Sequence, residues 1–348
     1  MTDIYSRMGD GYLIRLSKDE IRRDLEHGTQ DAAEKGKISP LSSDEVEKLL
    51  DICTRSSKFV GVERGNEIIL TIDGGTNKLQ NLGVPIGRVQ RIQIHERAFG
   101  QDTMELSNLD YSYKPVKPIV HYEAAELEQA LLVTVLPLFY GAMPNLGLYT
   151  QPDGPVPNAA ELMPLGKIEE ARSAQEEAVE YAVKDMVYVG SKMYEAGADG
   201  INFDTTGAAG DADFLATLKA VEELKKRYPD ICIEMGMAGE FVLGMHGKIT
   251  YDGTRLAGLY PHQQVKLAEK AGATIFGAVV NTNGSKSFPW NLARAVTYIK
   301  ACVEAASIPV HANVGMGVGG VPVCDVTPID AVSRVSTAMA EVARLDGL

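Results

Sequence analysis

Apolar runs that alternate with helical patterns dominate the chain from residue 116 onward. Between the runs, apolar residues recur every three or four positions, as on one face of a helix, for example at Phe214, Leu218 and Val221. This alternation predicts an α/β fold with a parallel sheet, for which an eight-stranded TIM-type barrel is the common closed form. The six runs expected to form strands are 118–122, 131–143, 199–206, 231–240, 273–283 and 308–317.

The first third of the chain has a different pattern, and we predict an N-terminal α+β extension at 1–115 followed by a partial barrel at 116–348. Two short charged helices are predicted first. The segment 59–73 then alternates about Arg64-Gly65-Asn66, which predicts a β-hairpin. The pattern from 81 to 118 is irregular.

The end of the chain resembles the beginning of another strand. The last helical pattern starts with Thr327 as a candidate cap and Pro328 at the first position, and it ends near Arg344. Asp346-Gly347-Leu348 follows, in the way that Asp199-Gly200-Ile201 enters a strand in mid-chain. With six strands and the start of a seventh, we expect an eight-stranded barrel to lack its last two strands.

Composition and charge exclude several classes of protein. Hydrophobic residues make up 45% of the 348 residues and charged residues 23%, which is ordinary for a globular chain. The net charge of −13 disfavours a nucleic-acid partner, and no apolar stretch reaches the roughly 20 residues of a membrane span. The four cysteines are scattered and the N-terminus has no signal-peptide pattern, so we predict a reducing, cytoplasmic location.

The polar residues that follow the predicted strands are the catalytic candidates, because such barrels carry their sites at the carboxyl ends of the strands. Asp204 could orient a cationic or amine substrate, or cap the next helix. Glu234 could exchange protons in a low-dielectric mouth, or form an ion pair inside the barrel. His311 could transfer a proton, or be a histidine satisfied within the core; Glu240 could approach a ligand, or cap the following segment.

Other polar side chains at the same strand ends are candidates for binding a substrate. They are Tyr140, Asn145, Thr205, Asn281 and Asn313. No spacing typical of metal ligands, such as His-Glu-x-x-His, occurs in the sequence, so no metal site is predicted.

The glycine-rich run 315–320 has two interpretations. Its backbone N–H groups could cradle a phosphate, although the run lacks the Lys-Ser/Thr ending of a P-loop. Alternatively, it could form a flexible loop that lets a large, flat partner approach. The glycines concerned are Gly315, Gly317, Gly319 and Gly320.

Several segments taken together resemble one family, the dimethylamine:corrinoid methyltransferases of methylamine-using archaea and bacteria. The resemblance runs in order from Met8 to Leu348, which makes it far more specific than a lone motif. The segments include HERAFGQDTMEL, DYSYKPVKP, LFYGAMPNLGLY, GADGINFDTTGAAGD, GMAGEFVLGMHG, LAGLYPHQQ and GMGVGGVP.

The resemblance implies transfer of a methyl group from dimethylamine to the Co(I) of a corrinoid carried by a cognate protein, with release of monomethylamine. The chain itself is then expected to bind no cofactor. In that family an in-frame UAG codon, read as pyrrolysine, follows an Asp-Gly-hydrophobic tripeptide. The catalytic pyrrolysine is therefore expected after Leu348, with a carboxylate such as Glu234 handling the proton.

By this reasoning the chain ends before its catalytic residue and is expected to be inactive alone. An open sheet without two strands would expose unpaired edges, so a homo-oligomer is also expected. Two alternatives to the methyltransferase are a phosphate-binding barrel lyase or isomerase, and a noncatalytic fragment that docks a corrinoid protein. Binding of a phosphorylated ligand would distinguish the lyase or isomerase from the methyltransferase.

Overall fold

The computed structural model describes residues 4–63, 65, 66, 68, 70–73, 103–108, 116–132, 139–244, 248–324 and 327–348. Its strands, numbered in chain order, are β1 (Ile4–Arg7), β2 (Leu13–Leu16), β3 (Leu70–Asp73), β4 (Thr103–Asn108), β5 (Phe139–Ala142), β6 (Gly200–Thr206), β7 (Cys232–Met237), β8 (Thr250–Tyr251), β9 (Thr254–Arg255), β10 (Ile275–Ala278) and β11 (Val310–Ala312).

A parallel sheet of seven strands in the order β11-β10-β7-β6-β5-β4-β3 is the centre of the described fold. All of its pairings are parallel, and strands that are consecutive in the sheet are also consecutive in the chain apart from the small β8–β9 hairpin. The predicted α/β class with a parallel sheet is therefore confirmed. Because the strands are parallel, their carboxyl ends lie on the same side of the sheet, and the polar residues that follow these ends lie there too.

Helices connect most of these strands and begin where the sequence provides capping residues. Ser17 and Ser42 each form a capping box with the glutamate three residues later, and Ser287 caps the helix that follows β10. The α-helices are Lys18–Gly36, Ser43–Thr54, Val116–Leu131, Ala159–Leu162, Ile168–Glu195, Asp211–Arg227, Pro261–Ala271, Phe288–Ala305 and Ile329–Ala338, the last continuing as a π-helical turn, Met339–Ala343.

Two of the sequence predictions are wrong. The run 118–122 was predicted to be a strand, but it lies within helix Val116–Leu131; a short apolar run fits either structure, and prolines 115 and 118 suit the start of a helix. Among the described residues of the hairpin predicted at 59–73, only Leu70–Asp73 is a strand, and it pairs in parallel with β4 rather than with residues 59–63. Residues 64, 67 and 69 of that hairpin, and 133–138 of another predicted strand, lie outside the described residues.

The strand count also differs from the prediction. β3 and β4 both precede residue 116, so the parallel sheet begins inside the predicted extension. Asp346-Gly347-Leu348 lies beside β11: the Asp346 N–H donates to Val310 O over 3.1 Å, and Gly347 forms a parallel bridge with His311. The count of six strands with two missing is thus not confirmed, whereas the division into domains at residue 115 stays a prediction.

The N-terminal segment packs against the second half of the chain. Helix Lys18–Gly36 lies on helix Phe288–Ala305 so closely that a Cβ on Gly28 would sit 2.2 Å from Trp290 O. The β1–β2 hairpin lies between two loops, because the Gly9 N–H donates to Lys286 O and Gly9 O accepts from the Val323 N–H, both over 2.7 Å. Among the described residues no helix is both long and apolar enough to cross a lipid bilayer.

Candidate functional site

One face of the sheet collects polar side chains near the carboxyl ends of its strands. Asn202 and Ile275 are both in register with Glu234, and two residues further on Gly277 is in register with both Gly236 and His311. Because side chains alternate along a strand, all of these residues belong to one face, which we call the site face. The two glycines leave space there: a Cβ on Gly277 would be 2.8 Å from His311 Nε2.

Glu234 and His311 form a buried acid–base pair on the site face. Their side chains are 1% and 8% exposed, and His311 Nε2 contacts Glu234 Oε1. Burial lowers the pKa of His311 to about 4, so its imidazole is neutral near pH 7. A neutral imidazole has one nitrogen that donates and one that accepts a proton, and the pair can therefore relay a proton.

Two oxygens of β6 lie next to this pair. A Cβ on Gly236 would be 3.3 Å from Asp204 Oδ1 and 3.6 Å from Asn202 Oδ1, so both oxygens lie over that glycine. Asn202 is 3% exposed, and its Oδ1 has no hydrogen-bond partner among the described residues. A buried oxygen of this kind is costly unless a ligand or water satisfies it. The group of Asn202, Asp204, Glu234 and His311 can thus accept N–H donors from an ammonium ion.

The backbone is strained where β6 ends. Thr205 has φ +57°, a left-handed conformation that β-branched residues rarely adopt, and the register shifts between Phe203 and Thr206. The Thr205 N–H donates to Asp204 Oδ1 over 2.7 Å, which fixes that carboxylate. Strain of this kind persists only where the surrounding structure enforces it, and it is concentrated at functional sites.

Asp213 anchors the loop that follows this strained residue. Its carboxylate is fully buried and Oδ2 accepts the Gly207 N–H over 2.8 Å. Burial raises the pKa of Asp213 to about 7, while hydrogen bonds from the backbone of Gly207, Ala208 and Ala209 act in the opposite direction. Sequence reasoning missed Asp213 as well as Asn202; the one available signal for Asn202 was a polar residue inside an apolar strand.

Glu240 forms a buried ion pair, which the sequence did not predict. Arg294 donates to it twice, from Nη1 to Oε2 over 2.7 Å and from Nη2 to Oε1 over 2.5 Å. Arg294 also donates from Nε to Asp31 Oδ2 over 2.9 Å, which links helix Lys18–Gly36 to the loop after β7. Burial lowers the pKa of Arg294, but the hydrogen bonds and charge of Glu240 outweigh it and raise the pKa overall.

The remaining substrate-binding candidates lie in different surroundings. Tyr140 is in register with Ile201, so it lies on the opposite face of the sheet, in the core. The Asn145 side chain accepts the Gly147 N–H over 3.0 Å and caps a short 3₁₀-helix. Asn281 Oδ1 accepts the Glu240 N–H over 3.3 Å, and Asn313 is exposed after β11.

The glycine-rich loop is attached along the end of β10. Gly319 donates its N–H to Val280 O and the Thr282 N–H donates to Gly317 O, both over 2.8 Å. Gly317, Gly319 and Gly320 all have positive φ, a conformation that glycine adopts without steric cost. Gly315 donates its N–H to Val318 O, so the N–H groups of Gly315 and Gly319 are engaged within the protein rather than displayed to a phosphate.

Exposed apolar side chains surround the same strand ends. Phe241 and Leu243 follow β7 and are 43% and 61% exposed, whereas Met316 and Val323 follow β11 and are 51% and 53% exposed. Among the described residues, no three His, Cys, Asp or Glu side chains come together in a way that could hold a metal ion.

Comparisons with known proteins assign the family. Among solved structures, the chain is similar to CcCel6C, a glycoside hydrolase family 6 enzyme from Coprinopsis cinerea, with 10% identity over 76% of this chain and 68% of that chain, and a TM-score of 0.29. A similarity this weak supports no conclusion about fold or function. The family model described as dimethylamine methyltransferase matches residues 2–348. The chain belongs to the dimethylamine methyltransferase family and is a methyltransferase.

Proposed function

We propose that the protein transfers a methyl group from dimethylamine to the Co(I) of a corrinoid held by a partner protein, and releases monomethylamine. Family membership supports the substrate and the type of reaction. The observation that carries the assignment of the site is the buried Glu234–His311 pair beside the oxygens of Asn202 and Asp204. Such a group matches a small secondary ammonium ion, which has N–H donors and two methyl groups.

In this proposal the side chains of the site face hold the amine and manage its proton. Asp204 and Asn202 accept the N–H donors and orient one methyl group away from the sheet. Glu234, with His311 behind it, keeps a proton available to the nitrogen as the C–N bond breaks. The reduced corrinoid supplies the electron pair that takes the methyl group, and the electrons of the C–N bond stay on nitrogen.

We also propose that the sheet closes into an eight-stranded TIM-type barrel. Seven consecutive parallel strands support this proposal, and so does Gly347, which continues the parallel pairing beyond β11. The site face would then be the interior of the barrel. Gly347 forms a parallel bridge with His311, so residues 346–348 lie beside the strand that carries the site histidine.

The exposed apolar rim is the proposed docking surface for the corrinoid protein. Phe241, Leu243, Met316 and Val323 are all at the carboxyl ends of the strands, where a large flat group would meet the site face. Exposed apolar side chains that cluster in this way are typical of contact surfaces. We expect the corrinoid to stay on its own protein and the chain to act in the cytoplasm.

The test combines the protein with dimethylamine and a reduced corrinoid protein. Monomethylamine should be formed, and the absorbance of the corrinoid should change as its cobalt is methylated. Glu234→Gln should lower kcat by about 100-fold, the usual contribution of a positioned proton donor. Glu304→Gln, at an exposed glutamate on helix Phe288–Ala305, is the matched control. Equal kcat for Glu234→Gln and Glu304→Gln would refute the assignment of Glu234.

A further inference from the structure

A cavity of about 700 Å³ lies outside the site face, and nothing in the methyl-transfer reaction accounts for it. It is lined by the β1–β2 hairpin, the end of helix Ser43–Thr54 with the residues that follow it, and the start of helices Phe288–Ala305 and Ile329–Ala338. None of the residues that line it belongs to the site face group. Its volume is sufficient for a small organic molecule.

The polar side chains that line this cavity are nearly all hydrogen-bond donors. Residues Cys53 to Lys58 form one continuous wall, with hydroxyls on Thr54, Ser56 and Ser57 and cations on Arg55 and Lys58. Arg7 and Arg334 line the cavity as well. This excess of cations stands out in a chain with a net charge of −13. A lining rich in N–H and O–H donors matches a ligand rich in acceptors.

The carboxylate in the lining, that of Asp330, already forms an ion pair. Arg7 donates to Asp330 from Nε over 2.8 Å and from Nη2 over 3.1 Å, so this pair is neutral as a unit. Lys58 is exposed and has no ion pair with the described residues, so its charge is available to a ligand. Arg55 pairs with Asp51 through Nε and Nη2, which leaves the N–H donors of Nη1 uncommitted in that pair.

Arg334 holds the donor-rich wall in place. Its Nη2 donates to Arg55 O and Ser57 O, both over 2.8 Å, and its Nη1 donates to Asp330 O over 3.0 Å. The segment 55–58 is therefore fixed against helix Ile329–Ala338 before any ligand binds. A preformed wall reduces the entropy that binding would otherwise lose.

The lining also contains apolar side chains. Ile4 and Leu13 come from the hairpin, whereas Phe288 and Ala331 come from the starts of two helices. Leu13 is 55% exposed, so a ligand could cover apolar surface that water now contacts. A simple inorganic anion would leave this part of the cavity unused.

We propose that this cavity binds a small amphipathic anion, whose phosphate, sulfonate or carboxylate group contacts Lys58, Arg55 and the serine hydroxyls and whose apolar body lies on Leu13 and Phe288. The bound molecule would bridge segment 55–58 and the β1–β2 hairpin. Because Gly9 of this hairpin is hydrogen-bonded to Lys286 and Val323, the ligand would stabilise two loops at the carboxyl ends of the strands. The site is thus suited to an effector rather than to the methylated amine.

The experiment measures binding of 8-anilinonaphthalene-1-sulfonate, an anion with an apolar body, to the folded 348-residue chain by fluorescence titration. Lys58→Glu should weaken its affinity by about tenfold, equivalent to about 1.4 kcal/mol, because attraction at the head group becomes repulsion. Leu13→Ser should weaken it through loss of apolar contact. Lys226→Glu, the same charge change at an exposed lysine on helix Asp211–Arg227, should leave it unchanged.

Inorganic pyrophosphate should displace the dye from the wild-type chain, since it competes for the same donors. The proposal is overturned if the dye does not bind, if pyrophosphate does not displace it, or if Lys58→Glu and Lys226→Glu bind it with the same affinity. None of these measurements depends on methyl transfer. The anion site can therefore be refuted while the proposed reaction stands, and the reaction can be refuted while the anion site stands.

Discussion

At the scale of single residues, Asp213 makes the stability of the protein depend on pH. Its pKa in the folded chain is about 7, raised from 3.8 chiefly by burial. Between those two values the folded state binds more protons than the unfolded state, so stability falls as the pH rises from about 4 to about 7. The stability is lost because a buried carboxylate must ionise. Hydrogen bonds from the three loop amides offset this loss only in part.

Asp213→Asn should therefore flatten the pH dependence of unfolding. Relative to wild type, we expect the variant to be more stable at pH 8 than at pH 5, because asparagine does not ionise and so avoids the loss of stability that wild type shows as the pH rises. Urea denaturation at the two pH values measures this difference. Asp230→Asn, at an exposed aspartate, is the control. If Asp213→Asn shows the same pH dependence of unfolding as wild type, that dependence does not come from Asp213.

The site residues show what the sequence could predict and what it could not. Asp204, Glu234 and His311 were predicted because each directly follows or interrupts an apolar run, and the parallel sheet brings such positions to one edge. Tyr140 was placed with them, but the two-residue period of its strand sets it on the opposite face. Asp213 lies on a helix, and its bonds to the loop depend on packing that has no local sequence signal.

At the scale of elements, Arg294 connects three parts of the chain that are far apart in sequence. It is buried, and it joins helix Phe288–Ala305 to Glu240 after β7 and to Asp31 on helix Lys18–Gly36. Removing one partner of a buried ion pair leaves an uncompensated charge in the interior. The free energy of unfolding should reflect that charge.

Arg294→Met should destabilise the protein by about 3–5 kcal/mol in urea denaturation. The double variant Arg294→Met with Glu240→Met should recover much of the loss, because neither charge is then buried alone. Arg227→Met, at an exposed arginine that pairs only with Glu223 in the described structure, should cost about 1 kcal/mol or less. Equal costs for Arg294→Met and Arg227→Met would show that the buried pair does not stabilise the fold.

The strands show a similar contrast between predictable and unpredictable elements. β6, β7, β10 and β11 follow from apolar runs that lead into polar or glycine-rich segments. β3 and β4 were not predicted as neighbours, since their pairing joins residues more than 30 positions apart and no local pattern reports it. The run 118–122 failed for another reason: five residues are too few to distinguish a strand from a buried helical turn.

At the scale of the whole molecule, Gly9 fastens the N-terminus to the second half of the chain. A Cβ at this position would lie 2.0 Å from Asn283 O, so no other residue fits without displacing the backbone. Gly9→Ala should detach the hairpin and speed hydrogen exchange at the amides of Gly9 and Val323, which are bonded across this contact.

Gly61→Ala is the matched control for that measurement, because a Cβ there would make only an ordinary contact of 3.6 Å with Phe59. Hydrogen exchange followed by mass spectrometry can compare peptides that contain residues 8–12 and 321–324 in both variants. Unchanged exchange in Gly9→Ala would mean that the loop around Asn283 moves to make room for the methyl group, and that glycine is not required to attach the hairpin.

This attachment has a consequence for the order of events on the ribosome. Arg7 and Asp330, which bind each other, are 323 positions apart, and helix Lys18–Gly36 packs on a helix that begins at Phe288. The surface of helix Lys18–Gly36 that packs on helix Phe288–Ala305 therefore stays uncovered during synthesis until that late helix has been made. We expect chaperones to bind this surface during translation.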